Sequence, residues 1–260
     1  MRQNRFALPT LAAGDAFPPV TSAWGPESPA NGLLAAGGAL DLSTLIAAYQ
    51  QAIFPWYSEG QPILWWSPDP RMALDVNDFR LHKSLKRVIK SFMGRPACKI
   101  IFDSSFTTII EACAQSPREG RAAGAGGTWI LPSMVEAYSA LYRAGLAHSV
   151  ETWVDGELVG GLYCTAIGQA VFGESMFSRQ ADASKIALAA LVCFCRAHGI
   201  ERIDCQQNTP HLAFLGAREM PRNAFLKWVQ AASQRPAPVW RFDNLYWEEL
   251  VSLPLDKPRS

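Results

Sequence analysis

The chain has 260 residues, 49% of them apolar and 18% charged, with a net charge of +1 at pH 7. That balance builds one large core or two small ones and excludes disordered and collagen-like chains. No apolar run reaches the roughly 18 residues of a membrane span, and Phe6–Ala16, broken by Pro9 and Asp15, makes a poor signal peptide, so a cytoplasmic location is expected.

The first 40 residues are rich in Pro, Gly and Ala and read as extended coil. Asp41 or Ser43 then caps a helix with an apolar stripe of Leu45, Ile46, Tyr49 and Ile53. Pro62–Trp66 and Arg71–Val76 read as short strands around the turn Ser67-Pro68-Asp69-Pro70. A small N-terminal domain is expected over residues 1–78, with the rest of the chain, 79–260, forming a second. A basic helix follows over about 80–93, then a helix capped by Asp103 or Ser104, a glycine-rich loop at 116–127, and a helix opened by Pro132. Ala147–Val154 and Glu157–Ala166 flank Asp155-Gly156, a strong hairpin signal. Ala170–Glu174 is a third strand. Asp182 or Ser184 caps a long helix, and Ile200–Cys205 is a further strand. His211–Leu215 is a helical turn, Pro221–Ala232 a last helix and Val239–Phe242 a closing strand. The expected class is α+β, with a mixed β-sheet flanked by helices. The element order of the second half is that of a GNAT-like N-acyltransferase core, an analogy of fold alone.

Between Arg80 and Lys99 lie seven Lys or Arg residues and no Asp or Glu. Lys83, Lys86, Arg87 and Lys90 recur at helical spacing on one face, opposite Leu81, Leu85, Val88 and Phe92. In a nearly neutral chain such a stripe points to a phosphate backbone, or else to a solvated face with counter-charges from elsewhere. Arg121–Gly126 matches the R-x-x-G-x-G pattern of CoA-dependent acetyltransferases but lacks the strand before it and the helix after it, so it also reads as a surface loop. Six cysteines without a C-x-x-C pair, and four scattered histidines, offer no zinc spacing, and the thiols are expected to be buried.

Glu174 ends a strand among Val171, Phe172, Met176 and Phe177. A carboxylate there must be paired or kept near the surface; it either receives a cationic group or joins an internal ion pair with Lys185 or Arg179. Asp204 and Gln206, two apart, are expected on one face of a strand at its carboxyl end, where sites open. They either orient an incoming amine or cap the turn at Asn208-Thr209-Pro210.

These stretches carry a resemblance. Gly32-Leu-Leu-Ala-Ala-Gly-Gly38, Ile53-Phe-Pro-Trp56, Leu64-Trp-Trp-Ser-Pro-Asp-Pro-Arg71 and Gly127-Thr-Trp-Ile130 are followed by Ala147-His-Ser-Val-Glu151 and Gly160-Gly-Leu-Tyr163. Gly173-Glu-Ser-Met-Phe-Ser-Arg179, Ala183-Ser-Lys185, Ile203-Asp-Cys-Gln206 and His211-Leu212 complete the set. Together they resemble the leucyl/phenylalanyl-tRNA–protein transferases of the bacterial N-degron pathway. The resemblance implies transfer of Leu or Phe, and Met less readily, from aminoacyl-tRNA to an N-terminal Arg or Lys of a protein. It implies no metal and no bound cofactor. It assigns Asp204 and Gln206 to a proton-relay pair, Glu174 to the acceptor's site, and Trp129, Leu162, Val171, Met176, Leu188 and Ile203 to the aminoacyl pocket. The basic helix from Lys83 fits the tRNA contact. Ala39, Ala52, Cys164 and Phe214 depart from the family's usual Asp, Gly, Gly and Ser. The alternatives are a CoA-dependent N-acetyltransferase and a non-enzymatic RNA-binding module.

Overall fold

The computed structural model describes residues 7–116 and 130–250. The N-terminal region, expected as coil, contributes strands. β1 (Thr10–Leu11) pairs in parallel with β2 (Leu33–Gly37), and β4 (Leu64–Trp66) lies antiparallel between β2 and β3 (Phe54–Pro55). Residues this rich in Pro and Gly make strands only two to five residues long. The helix α1 (Leu42–Gln50) opens with the Asp41 carboxylate accepting the Thr44 N–H at 2.9 Å, a side-chain cap.

β5 (Arg71–Asp75), on the N-terminal side of the expected boundary at 78, belongs to the larger sheet, between β10 (Arg202–Gln206) and β11 (Arg218–Met220). The basic helix α2 (Lys83–Met93) leads into β6 (Cys98–Phe102), which pairs antiparallel with β7 (Ala147–Val154). Two helices intervene, α3 (Phe106–Gln115) and α4 (Pro132–Arg143). β7, β8 (Glu157–Ile167) and β9 (Ala170–Ser178) form an antiparallel meander turning at Asp155-Gly156 and Gly168. A crossover through α5 (Ala183–Ala197) brings β10 parallel to β9. α6 (Pro210–Phe214) and α7 (Arg222–Ala232) follow. The result is the expected mixed sheet flanked by helices, with seven strands.

Strand alternation sends side chains to opposite faces. One face packs Tyr163, Phe172 and Phe177 against α1, α3, α4 and α7. The other packs Leu162, Val171 and Ile203 against α2 and α5. α5 comes close because Gly160 has no side chain, since a Cβ there would lie 2.5 Å from that of Ala183. It is buried nearly all round, so Cys193 and Cys195 are both enclosed; Cys98 and Cys205 are partly exposed.

The closing strand does not form. Val239–Phe242 has no ladder, and Val239 is 80% exposed. The segment is held instead by rings: Trp240 stacks on His148 with centroids 3.9 Å apart, and Phe242 packs on Phe102. β11 takes the additional place in the sheet.

Candidate active site

β9 and β10 pair only at Val171↔Ile203 and Phe172↔Asp204. Both strands then run on without a shared ladder, and the parted ends carry Glu174 and Gln206. Each strand is also irregular there. Tyr163 pairs with Ser175 while Cys164 pairs with Gly173, so Glu174 is the extra residue of a bulge. A bulge re-aims the side chains that follow it: Val171 and Met176 both join the α5 side of the sheet, and Glu174 is bonded from the α1–α4 side. On β10 the register shifts between Asp204 and Gln206, and Gln206 adopts φ +54. That left-handed conformation is unusual outside glycine and clusters at functional sites. Simple two-residue alternation therefore does not relate Asp204 to Gln206.

Glu174 has no cation partner among the described residues. Lys185 binds Asp182 at 2.7 Å, and Arg179 donates to the Leu158 carbonyl at 3.2 Å, so neither expected ion pair forms. Two phenols face the carboxylate instead. Tyr49 from α1 donates to Oε1 at 2.6 Å, and Tyr138 from α4 lies 3.3 Å from Oε2. The two hydroxyl oxygens are 2.6 Å apart. Two phenolic hydrogens cannot fill three contacts, and the distances favour a chain in which Tyr138 donates to Tyr49 and Tyr49 to Glu174. Oε2 then keeps only the longer Tyr138 contact, and the Thr165 hydroxyl approaches the carboxyl as a further donor. Burial pushes the Glu174 carboxyl from 4.5 up to about 7; the Tyr49 hydrogen bond opposes this rise and the Asp204 charge adds to it. Burial, then the Glu174 charge, holds both phenols protonated.

Asp204 is buried and fully engaged. Arg71 Nε donates to its Oδ1 at 2.8 Å and Nη2 to its Oδ2 at 2.7 Å, a bidentate pair. The Gln206 backbone N–H adds a third bond to Oδ1 at 3.0 Å. The Arg71 guanidinium, 1% exposed, also donates to the Ala52 carbonyl and lies between the Phe54 and Phe225 rings, 4.7 and 4.8 Å from their centroids. The Gln206 side chain ends differently: its Nε2 is buried and has no hydrogen-bond partner among the described residues. The following turn is capped by Thr209, not by Asp204 or Gln206.

Leu162, Val171, Leu188 and Ile203 lie in one buried apolar cluster with Met176 packed against it. Cross-strand pairs join Leu162 to Met176 and Val171 to Ile203. Trp129 and the loop Arg121–Gly126 lie outside the described residues. On α2, Lys83, Arg87 and Lys90 are exposed and Lys86 partly so, while Leu85, Ile89 and Phe92 face inward. None of these four cations has an ion-pair partner among the described residues. Arg71, Tyr49 and Tyr138 were not expected at the site. Tyr49 and Tyr138 fall on inward helix faces, where a phenol must find a partner for its polar end; that was the available signal for the tyrosines, whereas the burial of Arg71 in a short strand was not legible.

Comparison with known proteins gives the class of this fold and site: a transferase. A family model described as "Leucyl/phenylalanyl-tRNA protein transferase" matches residues 73–230, and one for the N-terminal domain of that protein matches residues 38–69. A leucyl/phenylalanyl-tRNA–protein transferase from Albidiferax ferrireducens is 60% identical over 94% of this chain and 95% of its own. Another, from a Polaromonas species, is 58% identical over 94% of each. A solved GCN5-related N-acetyltransferase from Kribbella flavida is similar over 69% of this chain and 60% of its own, with 13% identity and a TM-score of 0.34, too distant a likeness to bear on activity. The chain belongs to the leucyl/phenylalanyl-tRNA–protein transferase family.

Proposed function

We propose that the protein moves Leu or Phe, and Met less readily, from aminoacyl-tRNA to the α-amine of a protein's N-terminal Arg or Lys, marking that protein for degradation through the N-degron pathway. The observation that carries the residue assignment is Glu174, a partly buried carboxylate with two phenols on one side and no cation among the described residues. An arginine or lysine side chain supplies the missing charge, which accounts for selection of basic N-termini. The reaction belongs in the cytoplasm, where aminoacyl-tRNA is available; among the described residues no helix is long and apolar enough to cross a membrane.

An aminoacyl ester is already activated, so placing the amine against the carbonyl is the main task, and in favourable cases proximity alone supplies about 7–11 kcal/mol. An α-amine titrates near pH 8, so a neutral fraction is present without a strong base. Gln206 is the orienting group. Its amide oxygen accepts an amine N–H, and its unpartnered Nε2 is a donor for the oxygen that gains charge as the ester is attacked. Asp204 acts through Gln206. Both its carboxylate oxygens are held by Arg71, and its bond to the Gln206 N–H fixes the bulge that aims the amide. It is a positioning residue.

Leu162, Val171, Met176, Leu188 and Ile203, with Trp129, make the apolar pocket for the esterified residue. Such a pocket admits Leu, Phe and Met together because methylene-scale differences are worth only about 1–3 kcal/mol. Lys83, Lys86, Arg87 and Lys90 hold tRNA phosphates. The test is transfer of radiolabelled Leu from Leu-tRNA to a peptide beginning with Arg. Glu174→Gln is expected to raise the KM for the Arg-initiated peptide and Gln206→Ala to lose transfer, both while tRNA binding persists; near-normal kinetics in both overturns the assignment.

A further inference from the structure

Phe214, at the carboxyl end of α6, is 56% exposed. Isolated exposed apolar side chains are ordinary, but this one is fixed in place. Its ring lies 3.9 Å from the His82 imidazole and 18° from parallel, so one face is covered and the other open. His82 Nε2 lies 3.0 Å from the Phe214 carbonyl, and since a carbonyl can only accept, this nitrogen carries the hydrogen. The Arg80 N–H donates to the Leu215 carbonyl at 2.9 Å, and Leu215 is buried. Gly216, at φ +108, passes so close that a Cβ would come within 2.2 Å of the Asp78 carbonyl oxygen. Two chain segments far apart in sequence are thus locked together beneath one open aromatic face.

The surroundings indicate what covers that face. His82 is the residue before α2, so the stack adjoins the end of the helix where the row Lys83, Lys86, Arg87 and Lys90 begins. On the other strand of the junction, α6 starts four residues after Gln206. The platform therefore connects the basic helix to the strand end that carries the site.

We propose that Phe214, backed by His82, is a stacking platform for an unpaired base of the donor RNA's 3′ end. The inference rests on aminoacyl-tRNA being the donor. A flat ring accepts any base face, and a basic groove that tracks phosphates beside aromatic rings is how single-stranded nucleic acid is held. A ring already immobilised loses little further freedom on binding.

The test is steady-state transfer to an Arg-initiated peptide from two donors, Leu-tRNA and a leucylated trinucleotide with the tRNA 3′ sequence. The variants are Phe214→Ser, Phe214→Leu and Phe214→Tyr, each checked for an unchanged melting temperature. Phe214→Ser and Phe214→Leu are expected to raise KM for both donors by about 5- to 100-fold, with kcat and the peptide KM unchanged, and Phe214→Tyr to stay close to the parent. Unchanged donor KM in all variants overturns the platform. So does a rise in the peptide KM instead, which would make the occupant the acceptor polypeptide, or a loss with tRNA alone, which would place the contact on the duplex. A loss in Phe214→Ser but not Phe214→Leu would show that only apolar bulk matters, and also overturns it. If the parent protein transfers nothing from Leu-tRNA, the donor assignment fails and the platform with it; transfer without any variant effect sinks the platform alone.

Discussion

At the scale of single residues, two carboxylates near each other have opposite surroundings. Glu174 is partly buried against phenols, and its carboxyl is raised to about 7. Between pH 4.5 and 7 the native state therefore holds a proton the unfolded chain has lost, and stability from this group falls as pH rises through that window. An incoming cation relieves the cost, so acceptor binding tightens as pH rises through about 7. The expected outcome is a peptide 1/KM that climbs through pH 7 in the parent protein and is flat across that range in Glu174→Gln. Tyr49→Phe removes a bond that lowers this pKa and should move the climb to higher pH. A profile identical in all three proteins would contradict the role given to Glu174. Asp204 instead neutralises a buried guanidinium. Asp204→Asn leaves Arg71 without its charge partner and is expected to cost about 3–5 kcal/mol, read as a lower melting temperature. Replacing both Arg71 and Asp204 with apolar residues should recover much of that stability but not transfer, because the Gln206 bulge loses its anchor. Recovery of both would show that the pair does not position Gln206.

At the scale of elements, β9 and α2 do different work. β9 extends four residues beyond the expected Ala170–Glu174, and the bulge at Glu174 puts a carboxylate on one side and Met176 on the other. The strand was legible from its apolar residues, but the bulge was not, because nothing in local composition specifies which residue a partner strand skips. Val239–Phe242 failed in the opposite direction. Its aromatic residues suit a strand, yet they are used to pack Trp240 and Phe242 on rings from other elements. α2 was legible because charge and apolar periodicity coincide. Its cations give a measurable expectation: neutralising Lys83, Lys86 and Arg87 together should reduce the slope of log affinity for tRNA against log salt by about two to three. An unchanged slope would remove α2 from the RNA contact.

At the scale of the whole molecule, the site is completed across the chain. Tyr49 reaches Glu174 from α1, and Arg71 reaches Asp204 from β5, so both site carboxylates depend on residues before position 72. We expect one calorimetric unfolding transition, and a fragment comprising residues 79–260 should fail to fold stably because β10 and β11 lose β5. Two separate transitions would contradict that coupling. The α+β class, most helices and the hairpin could be read from periodicity and turns. The joins between distant segments could not, since Arg71 in a short strand reads as solvent-facing until Phe54, Phe225 and Asp204 are brought around it. The central claim is that Glu174 selects the acceptor by its charge. It is tested most directly by comparing kcat/KM at pH 8 for peptides beginning with arginine and with citrulline, its neutral isostere, in the parent protein and Glu174→Gln. Strong preference for arginine is expected in the parent, and loss of most of that preference in the variant, through the arginine peptide. A folded Glu174→Gln protein that kept the full preference would contradict it.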